Sequence, residues 1–241
     1  MLRFIRRLGV ALLEPWRYAN RWARKSYAQE GEDLVVDRLF DGHSRGFYVD
    51  IGAHHPFRFS NTFFFYRKGW KGICVDPLPG TLQIFNKYRP KDIFIQAGIS
   101  MQATTLTYFM FNEPALNTFD AEIAKKRNGL SNNKIVDAIE VETVRLSSVL
   151  EANLGKNQKI DILSIDVEGL DLEVLKSNDW NKYKPECVIV ECLKTNLENL
   201  LSDPVFLYLN SMEYEIYAKT GNSVIFVKRG MTTLKLTSAT T

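Results

Sequence analysis

The chain has 241 residues, 45% hydrophobic and 24% charged, with a net charge of +3. That is the size and balance of one globular domain with short appendages. No apolar run reaches the ~18 residues of a membrane span, and so small a net charge gives no general pull towards nucleic acid.

The charge is uneven along the chain. Residues 1–25 carry seven Lys and Arg against Glu14, a net +6, so the overall +3 leaves −3 on the other 216 residues. Within this basic arm, residues 2–14 read as an amphipathic helix. Leu2, Phe4, Ile5, Leu8 and Leu12 share one arc at ~100° per residue, and Arg3, Arg6 and Arg7 share the other. Pro15 breaks the pattern, and Trp16, Tyr18 and Trp22 follow. An interfacial membrane helix has this make-up; an arm packed on the body or on a second subunit has it too. The apolar core is too short for a signal peptide.

Ser26-Tyr27-Ala28-Gln29 has capping-box spacing and predicts a helix over residues 30–40. A buried strand follows at Phe47-Tyr48-Val49, ending in Asp50-Ile51-Gly52-Ala53-His54-His55. Residues 61–68 read as an aromatic-rich helix, 71–75 as a second strand, 82–88 as a helix and 93–95 as a third strand. Alternating strands at 106–111 and 139–144 flank a polar stretch, 112–134, suited to a lid or substrate wall, with a helix near 120–128. Further strands fall at 160–165 and 188–190, helices after Gly169 and over 199–210, and a closing hairpin at 214–218 and 224–227. The expected organisation is an arm over 1–25, a body over 26–230 and a loose tail over 231–241. Three cysteines, Cys74, Cys187 and Cys192, sit in strand-like runs. An odd count without ligand spacing reads as reduced core thiols in a cytoplasmic setting.

Strands alternating with helices imply an α/β fold, a mostly parallel sheet covered on both faces and closed by an antiparallel hairpin. Ligands bind such sheets beyond the carboxyl ends of the strands. Those ends carry Asp50, Asp76, Gly98, Asp166 and Glu191. Asp76 follows Gly52 by 24 positions, the ~20-residue placement of an acid that holds ribose hydroxyls. The second and third glycines of a dinucleotide turn are absent, and so is a P-loop. A cofactor with ribose but no phosphate fits better, and S-adenosylmethionine is the common one.

With these residues assembled, the chain resembles the FkbM-type methyltransferases from about Tyr27 to Lys228. The resemblance rests on Tyr27-Ala28-Gln29-Glu30-Gly31-Glu32-Asp33, Val49-Asp50-Ile51-Gly52-Ala53, Ile165-Asp166-Val167-Glu168-Gly169 and Thr220-Gly221-Asn222-Ser223. After Ala53 this chain departs from the family, which more often has Asn and a further Gly where His54-His55-Pro56 stand. The resemblance implies a seven-stranded class I (Rossmann-like) methyltransferase fold and methyl transfer to oxygen, often on sugars of polysaccharides, glycolipids or glycosylated natural products.

The expected cofactor residues are therefore Gln29, Asp50, Gly52, Ala53, Asp76 and Gly98. Asp166 is the expected base or acceptor-orienting carboxylate, with Glu168 either catalytic or capping the next helix. His55 and His54 are alternative bases, since imidazole titrates near neutrality. Asp166 and Glu191 could share Mg²⁺. Arg58, Asn112, Glu113 and Asn117 are candidates for a hydroxyl-rich glycan or glycolipid acceptor. The competing readings are a non-catalytic module recruited to a membrane or partner through the arm, and a nicotinamide oxidoreductase, disfavoured by the missing glycines.

Overall fold

A computed structural model describes residues 21–193 and 195–231. The expected helix over 2–14 and the tail beyond Met231 lie outside the described residues.

A seven-stranded sheet forms the body. Its strands are β1 (Phe47–Ile51), β2 (Lys71–Val75), β3 (Ile93–Ile95), β7 (Ile162–Ile165), β8 (Cys187–Glu191), β9 (Tyr214–Lys219) and β10 (Ser223–Lys228), in the order β3-β2-β1-β7-β8-β10-β9. Neighbours from β3 to β8 pair in parallel, with Asp50 beside both Cys74 and Ser164, and β10 pairs antiparallel with β8 and β9. The central strands are apolar runs because helices cover both faces. On one face, α1 (Glu32–Asp37), α2 (Phe63–Arg67) and α3 (Thr81–Tyr88) bury Val36, Phe65 and Phe85. On the other, α5 (Leu146–Asn153), α6 (Asp171–Lys176) and α7 (Pro204–Ser211) bury Leu150, Val174 and Leu209. The remaining elements are β4 (Gly98–Ile99), β5 (Thr104–Phe111), β6 (Ile135–Val144) and α4 (Ala121–Arg127). The three cysteines are buried free thiols, as core residues would be.

Several sequence expectations need correction. Strands β4, β5 and β6 leave the main sheet and make their own, in the order β4-β6-β5. The helix α5 was not expected; its Leu146, Val149 and Leu150 carry the burial, but eight residues make a short period to read. The helix expected over 30–40 begins only at Glu32, because Gly31 turns to φ 89°, and ends as a 3-10 turn at Arg38–Phe40. Ser26 does not cap it: the Ser26 hydroxyl donates to Asp33 at 2.6 Å, and Tyr27 N–H donates to the same buried carboxylate at 2.7 Å. The helix expected over 199–210 is split by Pro204, which occupies the first turn of α7 after an Asp203 cap.

The two ends of the body are locked together. Glu32 accepts from the Thr220 hydroxyl at 2.7 Å, and Glu30 accepts from Asn222 N–H at 2.6 Å. A side chain on Gly221 would collide with the Glu30 carboxylate. The opening Gln29–Asp33 motif and the closing hairpin turn are thus one clamp.

Candidate active site

The strand ends β1, β2 and β7 meet at a cleft roofed by the 112–120 segment. It encloses about 630 Å³ including its open mouth, and Gln29, Gly52, His54, Asp76, Asp166 and Glu168 line it on the body side. Tyr108, Asn117 and Phe119 line it from the roof, so the polar 112–134 stretch does form a wall.

Backbone geometry builds the floor. Gly52 has φ 78°, and a Cβ there would run into the carbonyl of Asp166. The glycine is therefore demanded by the close approach of two strand ends, and not by a ligand alone. Gly52 N–H and Ala53 N–H both donate to Val75 O, at 2.9 and 3.1 Å. Asp76 then takes two backbone donors, His54 N–H at 2.8 Å and Leu78 N–H at 2.9 Å. Each carboxylate oxygen keeps a lone pair for another donor. Burial lifts Asp76 to about 6, against the pull of those two bonds.

A second group of acids closes the far side. Asp166, Glu168 and Glu191 bring one carboxylate oxygen each within 4.8 Å of one another. Burial, then mutual repulsion, pushes Asp166 well up and Glu191 up to about 10. Glu168 is also raised by burial, but the Arg127 guanidinium pairs with it and opposes the shift. Glu168 has φ 55°, and the hydroxyl of Thr118 donates to its carbonyl at 2.7 Å. Asp171 accepts from Val167 N–H and Gly169 N–H, both at 3.2 Å, and so caps this turn from the helix side. Glu168, expected as either a catalytic group or the cap of the following helix, does not cap it: the N-terminus of that helix has no side-chain cap. Burial raises Asp171 to about 7.

Other expected residues stand elsewhere. Asp50 turns away from the cleft lining and accepts from the Thr62 hydroxyl at 2.5 Å. Ala53 packs in the core beside α1 and α2. Gly98 lies under Phe119 and Thr143, where a Cβ would clash. His55 is also off the cleft: its Nδ1 accepts the N–H groups of Phe57 and Arg58 at 3.3 and 3.2 Å, a loop-holding role. The histidine that does line the cleft is His54, with φ 49°, a buried Nε2 that has no partner, and a pKa lowered to about 4 by burial and by Arg58. Arg58 and Glu113 pair with each other by two bonds, 2.9 and 3.0 Å, tying the 54–60 loop to the roof. Asn112 fastens the roof itself, accepting from Lys134 N–H at 2.7 Å.

One organising residue was missed altogether. Arg89 is buried, and its guanidinium donates to Asp92 at 2.7 Å, to Thr62 at 2.9 Å and to the Pro56 carbonyl at 3.3 Å. Tyr48 donates to the same Asp92 at 2.7 Å. This network joins β1, α3 and the 56–62 loop, and so sets the cleft wall. Only the unusual Tyr-Arg-Pro after an apolar helix face hinted at it.

A family model described as the methyltransferase FkbM domain matches residues 50–216. The methyltransferase sdnD of Sordaria araneosa is 31% identical over 159 residues, which are 56% of this chain and 61% of that protein, so the chain spans about three fifths of this relative's length. Among solved structures, an O-methyltransferase from Bacillus cereus in complex with SAH aligns with a TM-score of 0.40 and 12% identity over 88% of this chain and 86% of that one. A TehB-like SAM-dependent methyltransferase from Corynebacterium glutamicum aligns with a TM-score of 0.38 and 9% identity over 90% and 96%.

Proposed function

The chain belongs to the FkbM methyltransferase family, and on that premise we propose that it is an S-adenosylmethionine-dependent O-methyltransferase acting on a sugar hydroxyl of a glycan, glycolipid or glycosylated metabolite. The observation that carries this reading is the acid cluster of the cleft. Asp166, Glu168 and Glu191 crowd one end, and among the described residues the Arg127 guanidinium pairs with Glu168 alone of the three. Uncompensated carboxylates favour a cationic ligand. S-adenosylmethionine carries a sulfonium and an ammonium, and when bound it supplies an electrophilic methyl group and departs as a neutral thioether. Asp76 and Gln29 stand where ribose and its neighbours would need acceptors and donors, and the Gly52 turn forms the floor between them and Asp166.

In this reading Asp166 receives the acceptor hydroxyl's proton as its oxygen attacks the methyl carbon. Burial and the neighbouring acids raise the Asp166 carboxyl, which makes it a stronger proton acceptor than an ordinary carboxylate. His54 stays neutral and can hold the hydroxyl in line through its unpartnered Nε2. His55 holds the loop instead. Asn117, with a buried Nδ2 lacking a partner, is the roof residue best suited to meet an acceptor or cofactor oxygen. A hard divalent cation on Asp166, Glu168 and Glu191 is a second way to satisfy the same charge; the all-oxygen donor set fits Mg²⁺. Loss of turnover on chelation, restored by Mg²⁺, would select it.

The test is release of S-adenosylhomocysteine on incubation with S-adenosylmethionine and a panel of glycans and glycolipids. Acceptor-dependent release supports the reading. Methylation confined to aglycone or nitrogen positions would overturn the sugar assignment.

A further inference from the structure

Beside the cleft mouth lies a surface that the methyl-transfer reading does not use. Phe57 and Tyr88 are 39% and 47% exposed and meet edge to face at 5.5 Å. Phe57 continues to Phe63 at 5.8 Å, and Phe63 to Tyr27 at 4.8 Å and to Tyr66 at 6.1 Å. An unbroken strip of rings therefore runs from α3 across the 54–60 loop to α2 and the start of the body.

Cations fringe the strip. Lys25 lies 4.9 Å from the Tyr27 ring centre, Arg67 5.7 Å from the same ring, and Lys87 5.2 Å from the Tyr88 ring. Among the described residues, no carboxylate pairs with any of these three. The first described segment joins at the same place: Trp22 is 81% exposed, and Arg24 sits over the Phe64 ring at 5.8 Å. The sequence before it has the basic amphipathic pattern. Exposed aromatic surface is costly in water, while the Lys and Arg around it are free to meet anions. Both suit the boundary of a bilayer, where rings enter the headgroup layer and cations meet anionic lipid.

We propose that this face, formed by Phe57, Tyr88, Lys25, Arg67 and Lys87, docks the body on an anionic lipid surface. The arm then adds to a contact that the folded domain already makes. The 54–60 loop connects the strip to the cleft, with Phe57 in the strip and His54 and Phe59 in the cleft lining. An acceptor carried on lipid would thus be presented to the opening. That consequence rests on the proposed methyl transfer; the docking itself does not.

The experiment is co-sedimentation of the full chain with vesicles of phosphatidylcholine alone and of phosphatidylcholine with phosphatidylglycerol. The native protein is expected to pellet with the anionic vesicles and to be released by salt. Lys25→Glu/Lys87→Glu is expected to lower the partition coefficient about tenfold or more. Phe57→Ser/Tyr88→Ser should lower it similarly, with circular dichroism as the control for folding. The charge pair lies on exposed side chains, so it keeps the test open if the aromatic pair disturbs the loop. Native protein that stays in the supernatant overturns the proposal, as does equal binding to both compositions. Both double variants binding like the native chain would also overturn it, leaving residues 1–20 as the whole contact. No outcome depends on turnover, so failure here leaves the methyltransferase reading intact.

Discussion

Arg89 and Asp166 are two ionisable groups with opposite surroundings. Arg89 is saturated with partners, holding Asp92, Thr62 and the Pro56 carbonyl. Arg89→Ala leaves Asp92 and Asp50 buried without their cation, and should cost about 3–5 kcal/mol in urea unfolding; a loss below about 1 kcal/mol would contradict its place as the hub. Asp166 instead waits for a partner among other acids. Asp166→Asn keeps the shape and removes the base. Turnover should fall roughly 10²- to 10⁴-fold, more than the loss of S-adenosylmethionine affinity from removing one acid of the cluster accounts for. Unchanged turnover would strip Asp166 of its role and revive the non-catalytic module as a reading of this fold.

At the scale of elements, the cleft depends on two ties between distant segments. The clamp of Glu30 and Glu32 on the 220–223 turn holds Gln29 in the cleft wall. Glu30→Ala should therefore lower both the melting temperature and cofactor affinity; a melting drop with unchanged affinity would limit the clamp to folding. The Arg58–Glu113 pair is exposed, so breaking it should change stability by less than about 1 kcal/mol and act on acceptor KM instead. Strands with apolar runs, such as those read at 71–75 and 188–190, were legible because burial on both faces leaves no other pattern. The acids at their carboxyl ends mark one edge of the sheet, and Gln29, Gly52, Asp76, Asp166 and Glu168 line one cleft there. The separate β4-β6-β5 sheet was not legible, since alternation in 106–111 and 139–144 says which face is wet but not which strand is the partner. Asp50, Ala53 and Gly98, expected at the cofactor, are absent from the cleft lining for a related reason. A strand-end position gives the edge, whereas side-chain direction decides between the cleft and the layer beneath it. Arg89 was hidden because a lone arginine after a helix is normally a solvated one.

For the whole molecule, the acids make stability and binding depend on pH. Asp171, raised to about 7, and Glu191, raised to about 10, keep protons in the folded state that the unfolded chain has already lost. Their stabilising contribution is present at low pH and is lost as pH rises through those values. His54, lowered to about 4, acts oppositely, but its effect is complete by about pH 6.5. Between about pH 7 and about pH 9 the free protein should thus melt at falling temperature, and the rise in melting temperature on adding S-adenosylmethionine should grow. A melting temperature that climbs over this range would contradict the burial of these acids. Among the described residues, no helix is long and apolar enough to cross a membrane.

The central claim is that the cleft holds S-adenosylmethionine with Asp76 on its ribose. Calorimetric titration of the cofactor into the full chain, beside Asp76→Asn, tests it most directly. The account predicts saturable one-to-one binding by the native protein and an affinity at least about tenfold weaker in the variant, the worth of a hydrogen bond to a charged group. No binding by the native protein, or equal binding by both, would contradict it.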